Sequence, residues 1–253
     1  TKLLVCTRRG EVWRVENVYA DKPSGASAVP PEPKTPTPDL VTYRRLLFGL
    51  HEPLGLLTRP DGVYLAQRGE LTRLKLTPNG TRVTDVDCFS NEWEISGSYH
   101  EYAFGPKVGP DGKFWVTLNR PFGSEVEGKA LWRGWAVAVD PATGKMTPVC
   151  PGLRSPAGLG SNPAGDMFYT DNQGDWVAVC KLSHLKPGKF QGQTTGLLTA
   201  DHPLSNFKVP AKDYPKSGLP WPQAAKEIPE LVPPAVWFPY PEMGRSSSDI
   251  VYD

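Results

Sequence analysis

Histidine and arginine recur at one place in a repeated pattern of this sequence. His51, His100 and Arg154 each come just before a short apolar segment, and a turn glycine follows 11 or 12 residues later. Arg245 begins a further copy of the pattern. Imidazole and guanidinium groups that face one pocket suit an anionic, hydrogen-bonding ligand, such as a carboxylated cofactor or an acidic sugar. A histidine in such a pocket is also a candidate general base near neutral pH.

The repeat that carries these residues predicts the fold. Its turn glycines, at positions 62, 112 and 165, lie 50 and 53 residues apart, and each precedes an aromatic-rich strand. A strand-rich repeat of about 40 to 50 residues is typical of a β-propeller with one four-stranded blade per repeat. The first strand of each blade lines the central channel of a propeller. We therefore expect the four leading side chains to converge at one mouth of that channel.

A second interpretation of these residues stays open. Polar side chains at a channel mouth also serve to satisfy backbone groups and to hold water, without binding a ligand. The shared register of the four positions favours a joint site. Glu52 and Glu101 follow the two histidines directly, but adjacent side chains of an extended strand point to opposite faces. We therefore do not expect these glutamates to contact their neighbouring histidines.

The composition limits the class of protein. A chain of 253 residues is long enough for one large all-β domain. Its 28 prolines and 25 glycines are spread between apolar segments, which indicates a loop-rich globular fold. The formal net charge of +1 gives no electrostatic case for nucleic-acid binding. No segment approaches the roughly 20 apolar residues that a membrane-spanning helix needs.

The blades are predicted to form a single propeller domain over residues 1–253. The segment 3–15 resembles 63–74, and both contain Arg-Gly-Glu, so the chain is expected to start at the second strand of a blade. Residues 184–234 are dense in Pro, Lys and Gly and are expected to be an excursion from the blades. Because both chain ends look like strands, we expect this polypeptide to be part of a longer chain.

Three other motifs contain residue types that could carry chemistry. The four cysteines lack metal-ligand spacing, so Cys6 and Cys180 are interpreted as small buried hydrophobes, with one disulfide left open for an exported protein. The segment 171–175 carries carboxylates suited to calcium but lacks the spacing of an EF-hand, and a turn between blades is the favoured interpretation. Ser246 and its neighbours lack the Gly-x-Ser-x-Gly context of a nucleophile.

Several of these stretches resemble a known family. Pro-Asp-Gly before an aromatic strand, the segment 99–106 around His100, and the segment 152–159 around Arg154 look like the glucose/sorbosone dehydrogenase family. The segments 51–57, 64–74 and 171–176 are similar to the large propeller proteins of planctomycetes that are described as membrane-bound dehydrogenases and are often joined to a haem c domain. The resemblance spans nearly the whole chain.

The resemblance implies a six-bladed propeller that uses pyrroloquinoline quinone (PQQ) with calcium. His100 then falls where the family keeps the base that takes the substrate hydroxyl proton, and Arg154 where it keeps a quinone-binding arginine. Gln67 and Arg245 are looser candidates for the cofactor pocket, and His51 joins them from its place in the repeat. Ser155 stands where the dehydrogenases commonly have asparagine.

Two functions follow as competing hypotheses. The first is a PQQ-dependent oxidoreductase of a sugar or alcohol, with a cytochrome c or haem c domain as electron acceptor. The resemblance places such a protein in the periplasm or outside the cell. The second is a propeller without catalysis, which binds a glycan or a partner protein at the channel mouth or through the excursion. Neither hypothesis involves nucleic acid or a membrane span in this chain.

Overall fold

The structure is a computed structural model that describes residues 2–18, 40–121, 130–174, 176–208 and 218–252. It contains four antiparallel sheets, each built from strands that follow one another in sequence. The first sheet has three strands, β1 (Lys2–Thr7), β2 (Glu11–Glu16) and β3 (Thr42–Leu47). The second has β4 (Leu56–Arg59), β5 (Gly62–Ala66), β6 (Leu71–Leu76) and β7 (Val83–Ser90).

The third and fourth sheets repeat the four-stranded arrangement. The third consists of β8 (Ala103–Val108), β9 (Phe114–Leu118), β10 (Trp135–Val139) and β11 (Met146–Pro151). The fourth consists of β12 (Gly158–Ser161), β13 (Met167–Asp171), β14 (Cys180–His184) and β15 (Val236–Phe238). Between β14 and β15 lie a 3₁₀ helix (Thr194–Thr199) and the helix α1 (Trp221–Glu227).

The sheets are arranged as the blades of a β-propeller, which confirms the predicted fold class. Their first strands β4, β8 and β12 lie side by side around a common axis. Leu54 forms a parallel bridge with Phe104 of the next blade. A Cβ atom on Gly55 would lie 2.2 Å from the backbone oxygen of Gly105, so these two inner segments touch backbone to backbone.

The predicted strands agree with the observed ones in order, and differ at some ends. The inner strand expected at 54–57 is observed two residues later, as β4. The strand expected at 176–182 begins only at Cys180, where the chain first pairs with Phe238 of β15. The first sheet has β1 and β2 in the places of β5 and β6, as the Arg-Gly-Glu match predicts.

Apolar side chains fill the spaces between neighbouring blades. Trp115 and Trp135 are buried in strands, as expected for packing between blades. Trp93 lies in a loop segment of the sequence, but its side chain is also buried and its Nε1 donates to the backbone oxygen of Arg68 at 2.9 Å. The burial of Trp93 therefore depends on contacts with residues that are distant in sequence, and the local sequence does not predict them.

The described parts of the excursion, residues 184–208 and 218–234, pack against both the third and the fourth blade. Phe190 and Phe207 are buried and stack with ring centroids 5.9 Å apart. Both belong to the same apolar cluster as Trp132 and Trp135. Among the described residues, no helix is long and apolar enough to cross a membrane.

The last described residues lie against the fourth blade. A Cβ atom on Gly158 would lie 2.9 Å from the Cα of Asp249, and one on Gly160 would lie 3.2 Å from Cβ of Ile250. Residues 249–250 therefore run beside β12, on the side opposite to β8. This is the place that the first strand of a following blade occupies in the repeat.

Candidate functional site at the channel mouth

The inner segments of successive blades enclose a central cavity of about 430 Å³. The second, third and fourth blades contribute residues of their first strands or residues next to them, whereas the first sheet contributes residues at the end of β1. The lining comprises Cys6, Arg8, residues 53–56, residues 104–107, Ala157, Leu159, Ser248 and Asp249. The cavity lies between the inner strands of the blades, and its lining does not include His100 or Arg154.

Two arginines from different blades enclose Tyr102 beside this cavity. The guanidinium carbon of Arg8 lies 5.1 Å from the ring centroid of Tyr102, and that of Arg68 lies 5.0 Å from it. The carboxylate of Glu52 joins both cations, at 3.0 Å to Nε of Arg8 and 2.5 Å to Nε of Arg68. Residues of three successive blades therefore meet at this point.

His100 lies next to that group and is half-buried. Its ring contacts that of Tyr99 in a tilted arrangement, with centroids 3.7 Å apart and an angle of 41° between the planes. Burial lowers the pKa of His100, and the nearby guanidinium groups of Arg154, Arg68 and Arg120 lower it further. Each of these effects disfavours the protonated ring. The imidazole is therefore neutral at neutral pH, which is the form that accepts a proton.

Arg154 begins a turn that is hydrogen-bonded to the second strand of the fourth blade. The Asp171 carboxylate at the end of β13 accepts the backbone N–H of Arg154 at 3.0 Å and that of Ser155 at 2.6 Å. The backbone N–H of Asn172 donates to the same carboxylate at 3.0 Å. Asp171 is completely buried, so its charge is directed at backbone groups and not at solvent.

The third blade also forms hydrogen bonds with this turn. The hydroxyl of Thr117 donates to the backbone oxygen of Pro156 at 2.9 Å, and Nδ2 of Asn119 donates to Oγ of Ser155 at 3.1 Å. The backbone N–H of Arg120 donates to the backbone oxygen of Arg154 at 3.0 Å. The third and the fourth blade therefore both fix the backbone position of Arg154.

A buried lysine lies opposite Asp171. Lys181 pairs with Asp171 across β13 and β14, is fully buried and donates to the backbone oxygen of Gln191. Burial lowers the pKa of Lys181 to about 8, although the charge of Asp171 acts in the opposite direction. Burial likewise raises the pKa of Asp171, while Lys181 and the two backbone N–H groups oppose that rise.

Arg133 ties the segment before β8 to the second blade. Its buried guanidinium donates to the backbone oxygens of Glu94, Glu101, Tyr102 and Arg68 at 2.6 to 3.1 Å. Burial lowers the pKa of Arg133 to about 10. The Glu101 carboxylate accepts both the backbone N–H and the hydroxyl of Ser96. The segment that carries His100 is therefore held at both ends.

The structure brings two of the predicted site residues together and leaves three elsewhere. His100 and Arg154 lie within electrostatic reach of each other. The side chain of His51 is exposed, and its backbone N–H donates to Oε1 of the buried Gln67. Nε2 of Gln67 donates to Oε1 of Glu70 at 3.0 Å, within its own blade. Arg245 is exposed, stacks on Tyr240 and donates to the backbone oxygen of Pro241 at 2.8 Å.

Sequence reasoning missed the residues that surround and position this pair. Arg68 and Arg120 follow β5 and β9, the second strands of their blades, and the repeat analysis considered only the residues before first strands. A comparison of second-strand ends would have found Arg68, Arg120 and Asp171 together, because each occurs at or just after that end.

The chemistry of the site suits an anionic cofactor better than a metal ion. A quinone with carboxylate groups matches the guanidinium groups of Arg154, Arg68 and Arg120 around His100. Within the described ranges, no group of three or more His, Cys, Asp or Glu side chains is placed to hold a metal ion. The Asp171 carboxylate is already occupied by backbone donors, and residue 175 lies outside the described residues. Calcium binding therefore stays a prediction.

The fold and this channel mouth define a β-propeller with a candidate small-molecule site on its axis. No protein-family model matches the sequence, and no curated protein matches it. Solved structures with a similar fold include a glucose dehydrogenase, with TM-score 0.51 and 19 % identity, over 78 % of this chain and 63 % of that one. The PQQ-bound aldose sugar dehydrogenase of Streptomyces coelicolor has TM-score 0.51 and 15 % identity, over 94 % of this chain and 64 % of that one.

A third similar structure is an oxidoreductase (glucose dehydrogenase) of Thermus thermophilus. It has TM-score 0.55 and 14 % identity, over 94 % of this chain and 66 % of that one. The chain thus spans less than two thirds of the length of each of these three structures. At these identities the likeness concerns the fold.

Proposed function

We propose that this chain is part of a PQQ-dependent oxidoreductase that acts on a sugar or an alcohol. The observation that carries the proposal is that the guanidinium group of Arg154 lies close enough to His100 to act on its ring, although the two residues are distant in sequence. The PQQ-bound aldose sugar dehydrogenase among the structures of similar fold supports it. A second candidate function, discussed below, involves binding alone.

In the proposed reaction each residue has one task. PQQ, when bound, supplies the two-electron oxidant. The guanidinium group of Arg154 binds a carboxylate of the cofactor and orients it toward His100. A nitrogen of the neutral His100 ring accepts the proton of the substrate hydroxyl oxygen, and the low pKa of the ring keeps it ready at neutral pH. His51, Gln67 and Arg245 are proposed as more distant parts of the cofactor pocket.

The resemblance to the dehydrogenase family adds further parts to this proposal. It includes a six-bladed ring, a single domain over residues 1–253, and kinship with the planctomycete propeller proteins. It also includes export to the periplasm and a cytochrome c or haem c domain as electron acceptor. The mass of the intact natural protein tests whether further blades and a haem domain exist.

Two variants test the proposed roles directly. PQQ binding is measured by fluorescence quenching, and dye reduction is measured with a panel of aldoses and alcohols. His100→Asn is expected to lower kcat by about 10²- to 10⁴-fold with little change in PQQ affinity. Arg154→Ala is expected to weaken PQQ binding by about tenfold or more. His184→Asn, on the outer part of the fourth blade beside Phe168, is the matched control.

The outcomes separate the alternatives. Absence of PQQ binding by the unaltered protein would contradict the proposal as a whole. PQQ binding that Arg154→Ala leaves unchanged would remove Arg154 from the cofactor site. Unaltered dye reduction in His100→Asn would remove His100 as the base.

A glycan-binding propeller is the second candidate, and a group of tryptophans favours it. Trp221 of α1 packs against Trp176 with ring centroids 4.9 Å apart and against Trp237 with centroids 5.3 Å apart. The side chain of Trp237 is 43 % exposed, so one ring offers a surface for sugar stacking. Glycan binding that is lost in Trp237→Ala, in a protein that does not bind PQQ, would favour this function.

A further inference from the structure

The turn that starts at Arg154 is held by segments outside its own inner strand. The bonds described above come from the end of β13 and from the residues that follow β9. Asp171 and Asn119 supply the side-chain groups of these bonds to Arg154 and Ser155. Both side chains are fully buried, so water does not compete for the same donors and acceptors.

Asn119 also connects the turn to the His100 segment. Its backbone N–H donates to the backbone oxygen of Tyr102 at 2.9 Å, while its side-chain amide donates to Ser155. One residue therefore bonds to a segment two positions after His100 and to a residue next to Arg154. We therefore expect a change of this residue to alter the distance between His100 and Arg154.

We propose that Asp171 and Asn119 are positioning residues that hold the guanidinium group of Arg154 beside the ring of His100. Asp171 acts through the backbone N–H groups of Arg154 and Ser155, and Asn119 acts through the hydroxyl of Ser155. Both residues act through protein groups, and no direct role toward substrate or cofactor is proposed for them. The inference rests on the proposed function for its catalytic meaning, but the geometry that it concerns exists without a cofactor.

Electrostatics provides a readout that needs neither PQQ nor substrate. The guanidinium group of Arg154 lowers the pKa of His100, so moving that cation away raises the pKa. Loss of the negative charge of Asp171 has the opposite direct effect, because an anion favours the protonated ring. A rise of the His100 pKa in Asp171→Asn therefore reports displacement of Arg154 and not the lost charge.

The experiment is an NMR titration of the histidine ring protons, with the His100 signal assigned by its absence in His100→Asn. Arg154→Ala gives the shift expected for complete loss of the cation. Asp171→Asn and Asn119→Ala are expected to shift the His100 pKa upward, in the direction of Arg154→Ala. Asp166→Asn is the matched control, because Asp166 lies 3.6 Å from Nε2 of His184 in the same blade. It is expected to change the titration of His184 and leave that of His100 unaltered.

The same set of variants includes a control for loss of folding. Asp171→Asn leaves the buried Lys181 without its anionic partner, which can prevent folding. In that case the double variant Asp171→Asn, Lys181→Met, which has no unpaired charge, is titrated in place of the single variant. A His100 pKa that stays unchanged or falls in the folded Asp171 and Asn119 variants would overturn the proposal. A rise of the His100 pKa in a protein that does not bind PQQ would support the positioning role and contradict only the proposed oxidoreductase.

Discussion

The guanidinium group of Arg154 lies close enough to His100 to act on the charge of its ring, although the two residues belong to different blades. The relationship has a physical consequence in both directions. Burial and this cation together lower the pKa of His100, and a neutral ring does not repel the cation. A proposed cationic anchor and a proposed base are therefore compatible with each other at neutral pH.

The first prediction concerns the pH dependence of catalysis. A base works in its deprotonated form, so activity is present above the pKa of His100 and is lost as the pH falls through it. Because burial and three arginines lower this pKa, the acid limb of kcat/KM for dye reduction is expected below the ordinary histidine value of about 6.5. Arg120→Met removes one cation and is expected to move the limb to higher pH.

The control for this titration is Arg82→Met, because Arg82 lies exposed just before β7 and does not act on His100. Its acid limb is expected to coincide with that of the unaltered protein. An acid limb that Arg120→Met leaves in place would show that a group other than His100 controls the profile.

The second prediction concerns the contact between inner strands. Gly55 has φ +153° and would place a Cβ atom 2.2 Å from the backbone oxygen of Gly105, so Gly55→Ala forces the second and third blades apart. Gly112 also has positive φ, +74°, but a Cβ atom there meets nothing within 4 Å. Gly112→Ala is expected to cost about 1 kcal/mol from backbone strain alone.

Urea unfolding measures the difference between these two glycine variants. Gly55→Ala is expected to lower the free energy of unfolding by about 2 kcal/mol more than Gly112→Ala, which is typical for an overpacked site. Equal losses would show that the inner strands separate without cost and that their close approach does not stabilise the ring.

The third prediction concerns the buried guanidinium of Arg133. It donates to four backbone oxygens, and a methionine at this position leaves all four without that donor. Arg133→Met is expected to lower the free energy of unfolding by about 3 kcal/mol. Arg133→Lys is expected to recover little, because an ammonium group does not reproduce the planar fork of donors.

Arg45→Met provides the comparison for this loss of stability. Arg45 pairs with Glu11 in an exposed salt bridge, so little change in stability is expected. If Arg133→Met were as stable in urea as Arg45→Met, the segment before β8 would owe its position to other contacts.

The fourth prediction uses the lowered pKa of Lys181. The folded protein releases the proton of Lys181 near pH 8, whereas an unfolded lysine keeps it to about pH 10.4. Between these values the unfolded state binds more protons, so the contribution of Lys181 to stability rises with pH, by up to about 1.4 kcal/mol per unit. Lys181→Met is expected to abolish this contribution.

The measurement compares urea unfolding of the unaltered protein and Lys181→Met at several values between pH 8 and pH 10. The difference between the two proteins isolates Lys181 from tyrosines and cysteines that titrate in the same range. Lys145→Met, at an exposed position, is expected to keep the pH dependence of the unaltered protein. A constant difference between pH 8 and pH 10 would contradict the prediction.

The sequence by itself determined the architecture. Each turn glycine is followed closely by an aromatic-rich strand. Such local patterns can be recognised in the sequence without knowing which distant residues they contact. The correspondence of β1 and β2 to the second and third strands of the next blade was also visible, because 3–15 resembles 63–74. His100 and Arg154 were found from their place in the same repeat, and their chemical roles stay predictions.

Only the tertiary structure decided what surrounds these two residues. Asp171, Asn119 and Arg133 form hydrogen bonds with groups that are distant in sequence. The repeat can indicate the position of Asp171, but it does not indicate which groups these three residues bind. The strand expected at 176–182 shows the same limit, because the alternation of side chains fits a strand from Trp176 onward. Pairing with β15 and packing of Trp176 against Trp221 determine that the strand starts at Cys180 instead. Local periodicity fixes which segments form blades, and contacts between blades fix which side chains meet at the axis.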